Sequence, residues 1–131
     1  MYLATALNLA IPFAIRDRQD MDQAYGSDGP EAAEARRACD ELKALLGVRP
    51  AKFTVSQRET ARLALLWAEQ YLDGYMNAIR DFDKAEFSST LKQYRQIRAV
   101  RKLHFGKTLG EALCERAELV DAMALVQKCR N

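Results

Sequence analysis

His104 is the only histidine in the chain, and the three cysteines, Cys39, Cys114 and Cys129, stand far apart with no C-x-x-C pair. A two-histidine metal site cannot form, and the thiols lack ligand spacing, so no metal and no metal catalysis is expected. Nucleophilic catalysis would need one of the thiols to reach His104 in space. Nothing local marks any of them for that role, and a buried, inert thiol is the commoner state. Asp81 and Asp83 lie in a short polar turn where solvated carboxylates are the default. A glycine-rich phosphate loop, a G-x-S-x-G elbow and a dinucleotide fingerprint are all missing, so no cofactor is expected and the chain is read as not an enzyme.

Charge placement is more informative than charge type. From Ser88 to Gly110 the chain carries Lys92, Arg95, Arg98, Arg101, Lys102 and Lys107 and no acid. At 100° per residue Arg95, Arg98 and Lys102 cluster opposite Ile97, Val100 and Leu103, which makes a basic stripe suited to an acidic protein or to a phosphate backbone. Pairing within the chain is the alternative, because the stretch from Asp17 to Glu41 holds eight acids against Arg18, Arg36 and Arg37. Only Tyr94 and Phe105 interrupt the basic stretch, so no aromatic ladder supports stacking of single-stranded bases. The last two helices do not space a short recognition helix as a helix-turn-helix requires.

The run Arg98-Ala-Val-Arg-Lys-Leu-His104 resembles the arginine-to-histidine motif of the HEPN family, small helical bundles many of which are metal-independent ribonucleases. The resemblance implies Arg98 and His104 as catalytic residues acting across a dimer. It covers these few positions, and Ala99 stands where that family often has a polar residue.

Two apolar features point to contacts. Leu63 to Ala68 is apolar nearly all round, with Leu63 and Leu66 turned toward the side of Arg62, Asp73 and Asn77; either another helix covers them or they form an interface anchored on Trp67. Arg116 falls inside the apolar arc of the last helix, between Leu113, Val120 and Met123, where its head must reach water, a carboxylate or another chain.

The elements that position these residues are helices. The chain has 131 residues, a formal charge of +2, 49% hydrophobic and 29% charged residues, and only three prolines. That is the size and composition of one packed helical domain. An apolar first helix is expected over 1–15, a loop over 16–29, and helices over 30–46, 56–82, 88–104 and 108–129. Pro30 and Gly47 bracket the second helix. Ser56-x-x-Glu59 and Thr108-x-x-Glu111 read as capping boxes, and Ser88 or Ser89 as an N-cap. Gly74 suggests close approach of a neighbour or a bend. The expected fold is all-α, a single compact bundle of four to five antiparallel amphipathic helices.

The apolar stretch from Tyr2 to Ile15 lacks a basic leader and is too short to span a membrane, so no membrane role is expected. An odd number of cysteines favours a reducing, cytoplasmic compartment. These features lead first to a non-enzymatic, protein-binding module of adaptor or inhibitor type, using the basic helix (Lys92, Arg95, Arg98, Arg101, Lys102, Lys107) and an apolar patch (Leu63, Leu66, Trp67). Its partner is expected to be a protein, an acidic one or a second copy of the chain. Nucleic-acid binding through 92–107 is the second reading, and a HEPN-like ribonuclease the third.

Overall fold

The computed structural model describes residues 1–25 and 29–130. It is all-α, with no strand among the described residues: α1 (Leu3–Tyr25), α2 (Pro30–Leu45), α3 (Val55–Ile79), α4 (Lys84–Phe105) and α5 (Leu109–Arg130), with a short 3-10 turn at Pro50–Lys52. The Gly26–Asp28 part of the expected loop lies outside the described residues.

α1 and α3 form the central pair, with α2 packed mainly on α1 and α4 mainly on α3. Ala6, Ala10 and Ala14 recur every four residues on α1, and Ala61, Ala64 and Ala68 line the buried side of α3; all six are fully buried. Side chains this small allow the two backbones to approach closely, because the distance between packed helices is set by the residues at the contact. Around that seam the larger residues Ile11, Leu42, Leu65, Leu72 and Ile97 close the core. The N-terminal apolar helix is therefore part of the core. Phe13 of α1 stacks on Tyr71 of α3 with ring centroids 5.8 Å apart.

Several boundaries differ from expectation. α1 continues ten residues past Ile15, through the stretch expected to be loop. Pro12 removes one backbone donor, and the polar residues that follow are compatible with a solvated helix, so composition alone does not end it. α3 starts with Thr54 rather than Ser56: Gln57 N donates to Thr54 Oγ1 (3.1 Å) and Thr54 N to Gln57 Oε1 (2.9 Å). This capping box lies two residues upstream of the expected one and adds the Arg58 N to Thr54 O bond (2.9 Å) to the helix. Glu59 pairs instead with Arg62.

Asp83 caps α4 five residues before Ser88 by accepting from Glu86 N (3.0 Å). The carboxylate is as good a cap as a serine and lies nearer the end of α3. Gly106, at φ 75°, ends α4 in a conformation that side chains resist. Gly74 is exposed, and a Cβ built there meets nothing within 4 Å, so no close neighbour explains it. On α3 the buried seam ends at Met76; Tyr75 and, past the helix end, Phe82 are exposed.

Candidate functional site

Where α3, α4 and α5 meet, basic side chains converge on one carboxylate. Arg101 of α4 donates from Nε to Glu69 Oε2 (2.6 Å) and from Nη2 to Glu69 Oε1 (3.0 Å). Its Nη1 lies 2.8 Å from Glu111 Oε1 on α5. Arg98 Nη2 (3.1 Å) and Lys102 Nζ (3.3 Å) reach the other oxygen, Glu111 Oε2. Glu111 also accepts from Thr108 N (3.1 Å) and Thr108 Oγ1 (3.0 Å), while its own N–H donates to Thr108 Oγ1 (3.2 Å). One residue thus caps α5 and gathers the basic side chains of α4.

The electrostatics follow from this geometry. Side-chain hydrogen bonding from Arg101, with further bonds from Thr108 and Lys102, outweighs burial and holds the Glu111 carboxyl far below the usual carboxylate range. Burial opposes the Arg101 charge, but the hydrogen bonds to Glu69 and Glu111 outweigh it and raise that guanidinium above its ordinary value. Arg98 is raised in the same way, against burial, by Glu111 and Tyr94. A groove of ≈ 280 Å³ beside the cluster is lined by Leu66, Gln70, Asp73 and Tyr94 among others.

The basic residues singled out in the sequence therefore do not form one stripe. Arg101 is buried, its side chain only 3% exposed, and belongs to the interior. Two opposite charges on facing helices can share a buried site when each satisfies the other, which a surface assignment by residue type does not anticipate. Arg98 and Lys102 are turned to Glu111, and Lys107 pairs with Glu115. Lys92 and Arg95 have no ion pair among the described residues and lie on a shallow trough along α4 that Ser88, Leu91, Gln96 and Ala99 also line. Leu103, expected on the apolar side, is 78% exposed.

Leu63, Leu66 and Trp67 are half-buried. Arg18 of α1 lies over the Trp67 ring, 4.3 Å from its centroid, a cation–π contact that covers one indole face. Leu63 and Trp67 line a hollow of ≈ 320 Å³ with Met21, Ala35 and Ala38, while Leu66 faces the charged corner. The three residues do not form one continuous apolar face.

Of the pair taken from the HEPN resemblance, Arg98 is held by its side chain and His104 through its backbone. Arg98 is bound to Glu111. The carbonyl of His104 accepts from Arg58 Nη2 (2.7 Å), and its ring lies against Phe105. Cys39 is buried, with Sγ 3.8 Å from the Ile15 carbonyl, and burial raises its thiol pKa. Cys114 and Cys129 are exposed on α5. Among the described residues no group of three or more His, Cys, Asp and Glu side chains is placed to hold a metal ion, and no described helix is long and apolar enough to cross a membrane.

The largest feature not anticipated is α5 itself. Every residue from Ala112 to Cys129 is exposed. Among the described residues, the ion pairs of α5 with the rest of the protein are confined to Glu111 and Glu115 in its first two turns. Leu113, between them, and Leu119, Val120, Met123 and Val126, beyond them, are each more than half exposed and project from one broad side of the helix. Arg116 lies within that arc and has no ion pair among the described residues. Comparison of the chain with protein-family models, with curated proteins and with solved structures finds no match.

Proposed function

We propose that this chain is a non-enzymatic protein-docking module whose main binding element is α5. The observation that carries this reading is the run of eighteen exposed residues, 112–129, with an apolar arc along its length. A helix held only at its first two turns gains little from propensity alone in water, and most helices are stabilised by packing an apolar face. An apolar arc of this length, left open, is the mark of an interface. The charged corner supports the role by fixing the angle at which α5 leaves the bundle, so that the docking helix is presented on a rigid base.

Protein is favoured over nucleic acid because four of the six basic residues from Lys92 to Lys107 are engaged by Glu69, Glu111 and Glu115. Lys92 and Arg95 alone are a small footprint for a phosphate backbone, whose affinity grows with the number of charges neutralised. They fit better as a second contact, to acidic side chains of a protein.

The test is chemical cross-linking and capture with the wild-type chain and with a Leu113→Asp/Val120→Asp double variant. Both substitutions fall on exposed positions, so the bundle is expected to fold unchanged. Loss of the captured protein in the variant, with retention in Lys92→Ala, supports α5 as the main docking element. Equal capture by wild type and double variant overturns it.

A further inference from the structure

We propose that the protein docked on α5 is a second copy of this chain, paired parallel and in register through the same helix; this rests on the docking reading above. The first argument is spacing. Leu113, Ala117, Val120 and Ala124 recur at intervals of four, three and four residues, the spacing of a two-stranded coiled-coil seam, with Gly110 and Gln127 at its two ends. In a parallel pair each meets its own copy. Leu113 and Val120 fill two layers, while Ala117 and Ala124 let the backbones approach closely. Leu109 and Met123 flank the seam on one edge and extend the apolar contact; Leu119 and Val126 lie beyond that edge.

The second argument is charge. Arg116 flanks the seam on the same edge as Met123, and Asp121, five residues on, flanks it on the other. In a parallel pair the two edges face one another across the interface, at the positions where side chains of opposite charge pair between helices. Arg116 therefore meets the partner's Asp121. A two-fold axis along the seam repeats the contact, so both Arg116 guanidinium groups and both Asp121 carboxylates are matched together. Neither residue has an ion pair of its own among the described residues. An antiparallel pair would set each edge against its own kind and leave Arg116 unmatched.

The bundle does not obstruct this arrangement. Glu111 and Glu115, through which α4 and the residues after it hold α5, fall on the far side of the helix from Leu113 and Val120 at 100° per residue. Each copy's own helices thus sit outside the pair. The area is sufficient as well. The 22 residues of the helix, at 1.5 Å each, span about 33 Å. Half the girth of a cylinder about 10 Å across then gives each copy roughly 500 Å², so about 1,000 Å² for the pair. Specific interfaces begin near that value.

The experiment is sedimentation equilibrium of the full chain at low and high micromolar concentration, with urea unfolding followed by Trp67 fluorescence as the control for the bundle. The wild type is expected to approach twice its 14.8 kDa mass. Arg116→Asp alone and Asp121→Arg alone should each weaken pairing by about tenfold or more, because each places like charges opposite one another. Mixing the two single variants should restore it as a heterodimer, since the carboxylate introduced at position 116 of one chain then meets the guanidinium introduced at position 121 of the other, and the two unaltered side chains meet likewise. Direction is read separately by Ala124→Cys in a Cys114→Ser/Cys129→Ser background. Mild oxidation should link two copies through that position, because only a parallel pair brings it against itself.

A 14.8 kDa mass for the wild type at every concentration overturns self-pairing. If α5-dependent capture of a different protein persists in that case, docking survives and only the identity of the partner falls; if capture is also independent of α5, both fall. Failure of the mixed variants to pair, when each alone is monomeric and folded, overturns the Arg116–Asp121 match. A wild-type dimer whose Ala124→Cys form does not cross-link overturns the parallel register.

Discussion

Arg101 on α4 and Glu69 on α3 form a bidentate ion pair inside the protein, Nε to Oε2 at 2.6 Å and Nη2 to Oε1 at 3.0 Å, and the same guanidinium reaches Glu111 on α5. This pair ties the basic helix inward. It converts what reads in sequence as part of a binding stripe into the joint that connects three helices. Alanine at position 101 would leave Glu69 buried without the two charge-assisted hydrogen bonds that satisfy it. Arg101→Ala is therefore expected to destabilise the fold by about 3–5 kcal/mol, and Glu69→Leu/Arg101→Met by much less, since removing both partners strands neither. Urea denaturation of the three chains checks this; equal losses for the single and double variants would contradict it.

Acid should weaken the same joint. The hydrogen bond from Arg101 holds Glu111 well below the ordinary range in the folded protein, so the unfolded chain takes up a proton first as the pH falls. The contribution of Glu111 is fully present above the unfolded glutamate value, about 4.3, and is lost progressively as the pH falls through that value toward the lower folded one. Urea midpoints measured from neutral pH into the acid range should decline on the acid side, and Glu111→Gln should flatten that decline while lowering the midpoint at neutral pH. A wild-type slope unchanged by Glu111→Gln would exclude this carboxylate as the source.

The helices are legible in the sequence because apolar spacing and caps are local. Thr108-x-x-Glu111 caps α5 as read, and Leu42, Leu65 and Ile97 are buried as their spacing implies. The buried pair is not legible from residue type, although a positional signal is present. Glu69 follows Leu65 by four residues and precedes Met76 by seven, and Arg101 follows Ile97 by four, so each stands beside the buried side of its helix. Charge type assigns both to water; only the facing of α3 and α4 reveals that they meet. The exposure of α5 is hidden for a different reason. An apolar arc has the same spacing whether the helix covers its own bundle or another chain, so Leu113, Val120 and Met123 carry no mark of which they do.

Thiol chemistry separates the kinds of surface. Cys114 and Cys129 are exposed, whereas Cys39 is buried and burial pushes its thiol pKa up, so it offers little thiolate near neutrality. A thiol-reactive disulfide reagent should label two positions quickly in the dilute native protein and the third only on unfolding. Pairing through α5 would separate the two fast positions. Cys114 borders the seam and comes beside the partner's Leu109, so its labelling should slow at high protein concentration, whereas Cys129 faces away from the seam and should not change. Rapid labelling of Cys39 in the native state would mean that the α1–α2 contact opens readily.

Charge reversal on α4 should divide into two outcomes along one helix. Lys92 and Arg95 have no ion pair among the described residues and face the open trough, so Lys92→Glu/Arg95→Glu is expected to change stability by no more than about 0.5 kcal/mol, as for ordinary surface positions. Arg98 and Lys102 both contact Glu111, so Arg98→Glu/Lys102→Glu places three carboxylates together at the corner and should cost more than about 1 kcal/mol. The same pairs distinguish binding from support. Loss of an acidic partner on reversing Lys92 and Arg95, with the urea midpoint unchanged, identifies the outer trough as a contact surface. Loss only with the Arg98 and Lys102 pair, together with a lower midpoint, means that the basic residues of α4 act by holding α5 in place.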